Sequence, residues 1–303
     1  MSAIKIVNLG KRYESANAVR CVSLSVAEGE LFGLIGPDGA GKTTLMRAVC
    51  TLIVPDEGTI QIQGMDVRQD IMSVRKRLGY MPQRFSLYQD LSVEQNLRFF
   101  ADLFQVPEEE QKRRLEQLYR FSRLEPFKQR KAGALSGGMK QKLALSCALI
   151  HTPDVLVLDE PTYGVDPVSR QEFWDILRSI QEQGTTILVS TVYMDEADQC
   201  DRVALMDRGA FIFVGTPDEI KAGFPYLLYR VKGGDAQTLR IFFDHLQEVS
   251  TTQLFGDAVH VGFKREPKPS DWKGWKKETG FTHWEPKLPS VEDCFMELTE
   301  KKG

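Results

Sequence analysis

The amino-acid sequence predicts an α/β protein, most of it built on a largely parallel sheet, with a smaller α+β unit behind it. Three observations predict this. Strand-length apolar runs recur through the first two thirds, at Ile4–Val7, Leu31–Ile35, Val155–Leu158, Thr186–Ser190, Val203–Met206 and Phe211–Val214. Several show no polar alternation, as strands covered on both faces require. Helix-like segments lie between them, and Lys221–Leu227 (KAGFPYL), with Gly and Pro, reads as a boundary.

Taken in order, Leu31–Ile35 leads into the glycine-rich run Gly36-Pro37-Asp38-Gly39-Ala40-Gly41-Lys42-Thr43-Thr44 and then Leu45–Val49, a strand, a turn and a helix. Ser92 with Gln95 forms a capping box, after which Val93, Leu97, Phe100 and Phe104 recur at helical spacing. Pro107–Arg130 is highly charged (EEEQKRR) and reads as a solvated helical excursion. Ser136-Gly137-Gly138 opens a helix with Leu143, Cys147 and Ile150 on one face, and the run Val155–Leu158 ends in Asp159-Glu160-Pro161. Beyond the boundary come an apolar helix (Leu239–Leu246), an alternating strand (Ala258–Phe263) and a polar stretch carrying Trp272, Trp275 and Trp284. A last helix follows Ser290, with Val291, Phe295 and Leu298 on one side. The expected domains are residues 1–222 and 223–303.

Composition narrows the function. The 303 residues are 42% hydrophobic and 27% charged, the balance of a globular protein, and the net charge is −3. Without a positive excess, no nucleic-acid partner is expected. Cys21, Cys50, Cys147, Cys200 and Cys294 are odd in number, show no CxxC pair and read as reduced, mostly buried thiols of a cytosolic protein. MSAIKIVNLG lacks the pattern of a secretion signal, and no apolar run approaches the roughly 18 residues of a spanning helix. Any link to a membrane is expected to run through a partner.

The run from Gly36 to Thr44 matches GxxxxGK[ST] in the strand-then-helix setting this motif needs. Gly39 and Gly41 let consecutive amides face the β-phosphate of a nucleotide, and the helix beginning near Lys42 adds its positive end. Lys42 is expected to reach the β- and γ-phosphates and Thr43 to ligate Mg2+. Asp159 and Glu160, delivered by a buried strand to the sheet edge where ligands bind, suit two roles. Asp159 can hold Mg2+ through its water, and Glu160 can orient and deprotonate an attacking water. Ser136-Gly137-Gly138 makes a second helix N-terminus with free amides and a hydroxyl. One nucleotide rarely needs two such sites on one chain, so this one is expected to serve a nucleotide held by another protomer.

With GPDGAGKTT, LSGGMKQ and VLVLDEP in this order, the sequence resembles the ATP-binding cassette (ABC) transporter ATPases over roughly residues 3–220. The resemblance implies ATP and Mg2+ as cofactors and a P-loop NTPase with a RecA-like core. It adds an antiparallel β-subdomain, a helical subdomain at about 85–150, and two cassettes enclosing two ATPs head to tail. It also implies roles for three more residues. Gln83 (in GYMPQ) touches Mg2+ and the attacking water and senses the membrane partner. Asp166 (in YGVDP) lies across the dimer interface, and Tyr13 (in KRY) stands where an aromatic stacks on adenine, although a lone loop Tyr is as easily an exposed aromatic. The wording after Gln83 and the terminal VEDCFMEL look most like ATPase subunits of ABC-2 type drug-resistance exporters. The implied partners are a second cassette, on another chain or the same one, and an ABC-2 type permease that holds the protein at the cytoplasmic face of the membrane. The permease contact is expected at Arg84–Leu91, with Phe85, Leu87 and Tyr88.

Two positions depart from the family pattern. After the strand Thr186–Ser190 the family places a histidine on the γ-phosphate; here Val192 stands there, and His151, His245, His260 and His283 lie elsewhere. His151 reads as an exposed loop residue. Losing one transition-state hydrogen bond costs on the order of 10²–10³ in rate. The site is therefore slow, or it is the weak half of an unequal pair, as in the first cassette of YbhF-type two-cassette chains. Asp38 stands where Asn or Ser is common, and its carboxylate is expected to face away from the phosphates. The alternative function is a soluble, non-transport ABC ATPase of the translation-factor or DNA-repair kind. A GTPase or small-molecule kinase would leave LSGGMKQ unexplained. Residues 223–303 are expected to be regulatory or to steady a dimer.

Overall fold

The protein is described here from a computed structural model covering residues 1–14, 16–84 and 87–300. The chain divides into two compact units, Met1–Thr216 and Pro217–Gly303. In chain order the first comprises β1 (Ser2–Tyr13), β2 (Ala16–Ala27), β3 (Leu31–Ile35), α1 (Lys42–Val49), β4 (Glu57–Ile62), β5 (Met65–Asp66), α2 (Ile71–Arg77) and β6 (Leu78–Met81). It continues with α3 (Val93–Leu103), α4 (Glu108–Ser122), α5 (Gly137–Leu149), β7 (Val155–Asp159), α6 (Pro167–Glu182), β8 (Thr186–Thr191), β9 (Arg202–Asp207) and β10 (Ala210–Gly215). The second holds α7 (Pro217–Ala222), β11 (Leu227–Lys232), α8 (Ala236–Asp244), β12 (Val249–Phe255), β13 (Ala258–Phe263), α9 (Pro269–Thr279), β14 (His283–Pro286) and α10 (Val291–Glu300).

The central sheet runs β10-β9-β3-β8-β7-β6; all its pairings are parallel except the edge pair β9–β10. Strands β3, β7 and β8 are buried at every residue, which explains why their sequences carry no alternation. An antiparallel sheet, β2-β1-β4-β5, shares one core with the central sheet. Leu45, Met46 and Val49 of α1 join Ile4, Ile6 and Ile60 of the antiparallel sheet with Phe32, Leu34 and Val157 of the central one. Helices α3, α4 and α5 close on their own core, in which Val93, Leu97, Leu115, Leu118, Leu143 and Cys147 are buried. The capping box at Ser92 and Gln95 forms in both directions, so the chain enters α3 with its first amides satisfied.

In the second unit β12-β13-β11-β14 form an antiparallel sheet whose core is aromatic: Phe243, Phe263, Trp272 and Phe281 are buried, with Trp275 and Trp284 packed against them. The boundary segment read from sequence contains the start of β11, and α7 belongs to this unit. Among the described residues no helix is long and apolar enough to cross a membrane. Cys50, Cys147, Cys200 and Cys294 are buried, Cys21 is exposed, and all are free thiols.

Candidate functional site

The site is assembled by the sheet order. Strands β3, β8, β7 and β6 are adjacent and parallel, so the segments leaving their carboxyl ends converge on one edge. The register keeps those ends level: Ile35 pairs with Thr191, Asp159 with Ser190, and Met81 with Leu158. Four chemically different elements therefore meet there: the glycine-rich loop, the acidic pair, the turn after β8, and Gln83.

The loop between β3 and α1 is shaped by close backbone approach. A Cβ on Gly36 would lie 2.1 Å from the Met206 carbonyl oxygen, and one on Gly41 would lie 2.2 Å from that of Ala18. Gly41 also has φ +106°, a conformation that other L-residues avoid. The loop curls round an open pocket of about 230 Å³ lined by Ala18, Asp38–Thr44, Gln83 and Glu160. Lys42 is almost wholly buried, and its ammonium donates to the carbonyl oxygens of Gly36 (2.7 Å) and Pro37 (3.0 Å). Ala40 is buried behind the loop, whereas Asp38 is exposed on the pocket wall.

Across the pocket, β7 delivers two adjacent carboxylates to different partners. Glu160 has a φ of +49°, and this sharp turn separates the two side chains. Its Oε1 lies 3.1 Å from Lys42 Nζ and its Oε2 accepts from Gln83 Nε2 at 2.8 Å. Asp159 Oδ1 accepts from the hydroxyls of Thr43 (3.1 Å) and Ser190 (2.8 Å). Burial raises the Asp159 carboxyl above its usual range, and those two hydroxyl bonds only partly offset it. Its second oxygen, Oδ2, is buried with no hydrogen-bond partner. An orphaned carboxylate oxygen beside a threonine hydroxyl is a donor set that a hard divalent cation such as Mg2+ fits.

The structure therefore brings Lys42, Thr43, Thr44, Gln83, Asp159 and Glu160 together. Other residues read from sequence stand apart from this pocket. Ser136 caps α5, accepting from the Met139 amide at 3.3 Å; Ser136 and Gly137 are exposed, and none of Ser136, Gly137 and Gly138 lines the pocket. Asp166 caps α6, accepting from the Ser169 amide at 2.9 Å, and is exposed. Tyr13, at the end of β1, is 44% exposed and also lies outside the pocket lining. Val192 is half-buried in the turn after β8. His151 differs from its reading as an exposed loop residue: its ring stacks on Phe104 at 3.7 Å, and Nε2 lies 3.0 Å from the Leu78 carbonyl oxygen. Phe85 lies outside the described residues.

Sequence reasoning missed Ser190. Its hydroxyl donates to the Asp159 carboxylate and accepts from the Glu160 backbone amide at 3.0 Å, so one side chain holds one carboxylate and the backbone of the next residue. The available signal was a hydroxyl closing the apolar run Ile187-Leu188-Val189 at the carboxyl end of the strand.

Comparison with known proteins gives a consistent result. The family model "ABC transporter" matches residues 19–163. The chain is 39% identical over 309 aligned residues to "Probable multidrug ABC transporter ATP-binding protein YbhF" of Escherichia coli (strain K12), covering 100% of this chain and 53% of that protein. It thus spans about half the length of that curated relative. It is 36% identical to "Nod factor export ATP-binding protein I" of Ralstonia nicotianae, over 99% of this chain and 94% of that one. Among solved structures, the dimeric post-hydrolysis state of the ATP-binding cassette MJ0796 bound to ADP and Pi matches with TM-score 0.65 and 25% identity, over 70% of this chain and 98% of that one.

Proposed function

Because the chain belongs to the ABC transporter ATPase family, with its P-loop NTPase fold, we propose that it is the ATP-binding and ATP-hydrolysing subunit of an ABC-2 type exporter. In this reading it forms the slowly hydrolysing half of an asymmetric cassette pair. The observation that carries the reading is the separation of two anion cradles on one chain. The loop 36–44 encloses a pocket with Glu160 and Gln83, while the capped helix start at Ser136 contributes nothing to it. A second cassette, in a different chain or in a longer version of this one, would bring its own Ser-Gly-Gly run to this pocket and receive Ser136, Gly137 and Gly138 in return. Asp166 would stand at that meeting face and Tyr13 beside the adenine.

The chemistry follows from the residues. Triphosphate entering the loop takes over the Lys42 ammonium from Glu160 and the two backbone carbonyls. Glu160, still held by Gln83, is then free to accept the proton of an attacking water. Thr43 and Asp159, with Gln83, would hold Mg2+, which neutralises charge on the phosphate oxygens. Val192 offers the γ-phosphate no hydrogen bond, so this half binds nucleotide but turns it over slowly.

The motion would pass to the membrane partner through an apolar cleft of about 240 Å³ bounded by Leu52, Met81, Pro82, Leu87, Phe100 and Phe104. Leu87 is buried in the wall of that cleft, whereas Tyr88, Phe99 and Leu103 are exposed, and Tyr88 meets Phe99 edge to face at 4.7 Å. Exposed aromatic surface beside a cleft suits a protein partner better than free solvent. Such docking would hold the protein at the cytoplasmic face of the membrane. The export roles in its relatives' names favour this over a soluble ATPase. The test is purification of the tagged full chain from membranes. Recovery of a six-helix subunit and a second cassette supports the proposal; co-sedimentation with ribosomes instead would overturn it.

A further inference from the structure

The turn that carries Val192 is tethered to a carboxylate for which the hydrolytic reading has no use. Glu196, in the 3-10 turn Met194–Gln199, is 3% exposed. Its Oε2 accepts two hydroxyls, one from nearby Thr191 Oγ1 at the end of β8 and one from Thr162 Oγ1, 34 positions away, at 3.1 Å. The Thr191 hydroxyl in turn accepts from the Tyr193 amide at 3.0 Å, so Val192 is pinned on both sides. Arg170 of α6 completes the cluster. Its Nε lies 3.9 Å from Glu196 Oε1, its guanidinium covers the Tyr193 ring at 4.2 Å, and it approaches Asp195 at 3.8 Å.

Burying a carboxylate is costly unless hydrogen bonds and a nearby cation compensate it, and two hydroxyls and Arg170 do so for Glu196. Here one oxygen joins two segments. Thr162 lies between Glu160 and Asp166, on the loop that ends in the cap of α6; Thr191 and Tyr193 flank Val192. A shift of either segment strains the bond to the other, because both hydroxyls share the same acceptor.

We infer that Glu196 is a positioning residue that couples the loop 161–166 to the turn 191–193. Contact of a second cassette with the loop at Asp166 is thereby transmitted to the γ-phosphate end of this chain's own cradle. The direction of that signal rests on the cassette-pair reading above; the coupling itself needs only one chain and nucleotide.

The test is hydrogen–deuterium exchange on the full chain with and without Mg·ATP, together with ATP turnover, for wild type, Glu196→Gln, Glu196→Ala, Thr162→Val and Thr191→Val. In wild type, Mg·ATP is expected to slow exchange in peptides covering 161–166 and 190–194 together. In Thr162→Val it slows only the second. Glu196→Gln, whose amide oxygen still accepts both hydroxyls, follows wild type. Glu196→Ala lowers kcat by about tenfold with KM for ATP little changed. If Glu196→Ala does not fold, the two threonine variants carry the test alone. A 161–166 segment that ignores Mg·ATP in wild type, or responds equally in Thr162→Val, overturns the coupling. A wild-type chain that binds ATP without turning it over bears on the proposed function instead, and the exchange result still decides this inference.

Discussion

Lys42 and Glu160 form a buried ion pair across the phosphate cradle, with Nζ and Oε1 3.1 Å apart and each side chain no more than 4% exposed. The lysine that is to meet phosphate is thus already engaged by the carboxylate that is to meet water, and nucleotide has to compete for it.

Glu160→Gln therefore acts in two directions at once. Removing the competing charge tightens ATP binding several-fold, and removing the base lowers turnover by about 10²–10⁴-fold. Nucleotide titration and phosphate release measure the two separately. Hydrolysis at the wild-type rate would take Glu160 out of the reaction.

Asp159→Asn is expected to raise stability while impairing Mg2+-dependent nucleotide binding. Burial lifts the folded carboxyl's pKa above its usual value of 3.8. Stability therefore falls as pH rises from that value through the folded one, and at neutral pH the whole cost of the buried charge is present. The asparagine relieves it, for a gain of about 1–2 kcal/mol in denaturant unfolding of the nucleotide-free chain. A variant less stable than wild type contradicts the account.

Val192→His restores a donor at the turn after β8. Turnover should rise by about tenfold or more, toward the 10²–10³ that one well-placed donor contributes. An unchanged rate, at unchanged ATP affinity, removes the slow-half reading.

The second unit has its own ionic fastening. Asp293 Oδ1 lies 2.6 Å from His260 Nδ1, and its Oδ2 accepts from Lys287 Nζ at 2.7 Å and from the Ser290 amide at 2.8 Å. Burial works to raise this carboxyl, but bonds from His260, Lys287 and Ser290 outweigh it and hold the group far below the usual range. The stabilisation is thus complete above the unfolded value near 3.8 and is lost as pH falls toward the folded one. Asp293→Ala strips one partner from a buried charge cluster and should cost this unit about 3–5 kcal/mol, read by denaturant unfolding at pH 7.

The sequence was most legible where one residue type has one physical reason to be present. Uninterrupted apolar runs gave the central strands because a strand covered on both faces tolerates nothing else. Gly36 and Gly41 were readable because only glycine survives such backbone contact. Ser190 and Glu196 were not, since each depends on a partner 30 or more positions away, Glu160 for the first and Thr162 for the second. His151 was misjudged because its neighbour Phe104 arrives from the carboxyl end of α3, distant in sequence. In the second unit β11, β12 and β14 escaped notice: Leu227–Lys232 begins inside the segment read as a boundary, Val249–Phe255 mixes hydroxyls and amides in its buried positions, and His283–Pro286 is a short edge strand.

Three of the four tryptophans in the chain belong to the second unit, where Trp272 stacks on Trp284 at 5.3 Å and meets Trp275 edge-on at 5.1 Å. Indoles this close share their excited states. Intrinsic fluorescence and near-ultraviolet dichroism will therefore report mainly on residues 217–303, with Trp174 of α6 the sole indole observing the nucleotide-binding unit. Tryptophan-fluorescence melting curves will follow mainly the smaller unit, and far-ultraviolet dichroism or calorimetry is needed to see the larger one.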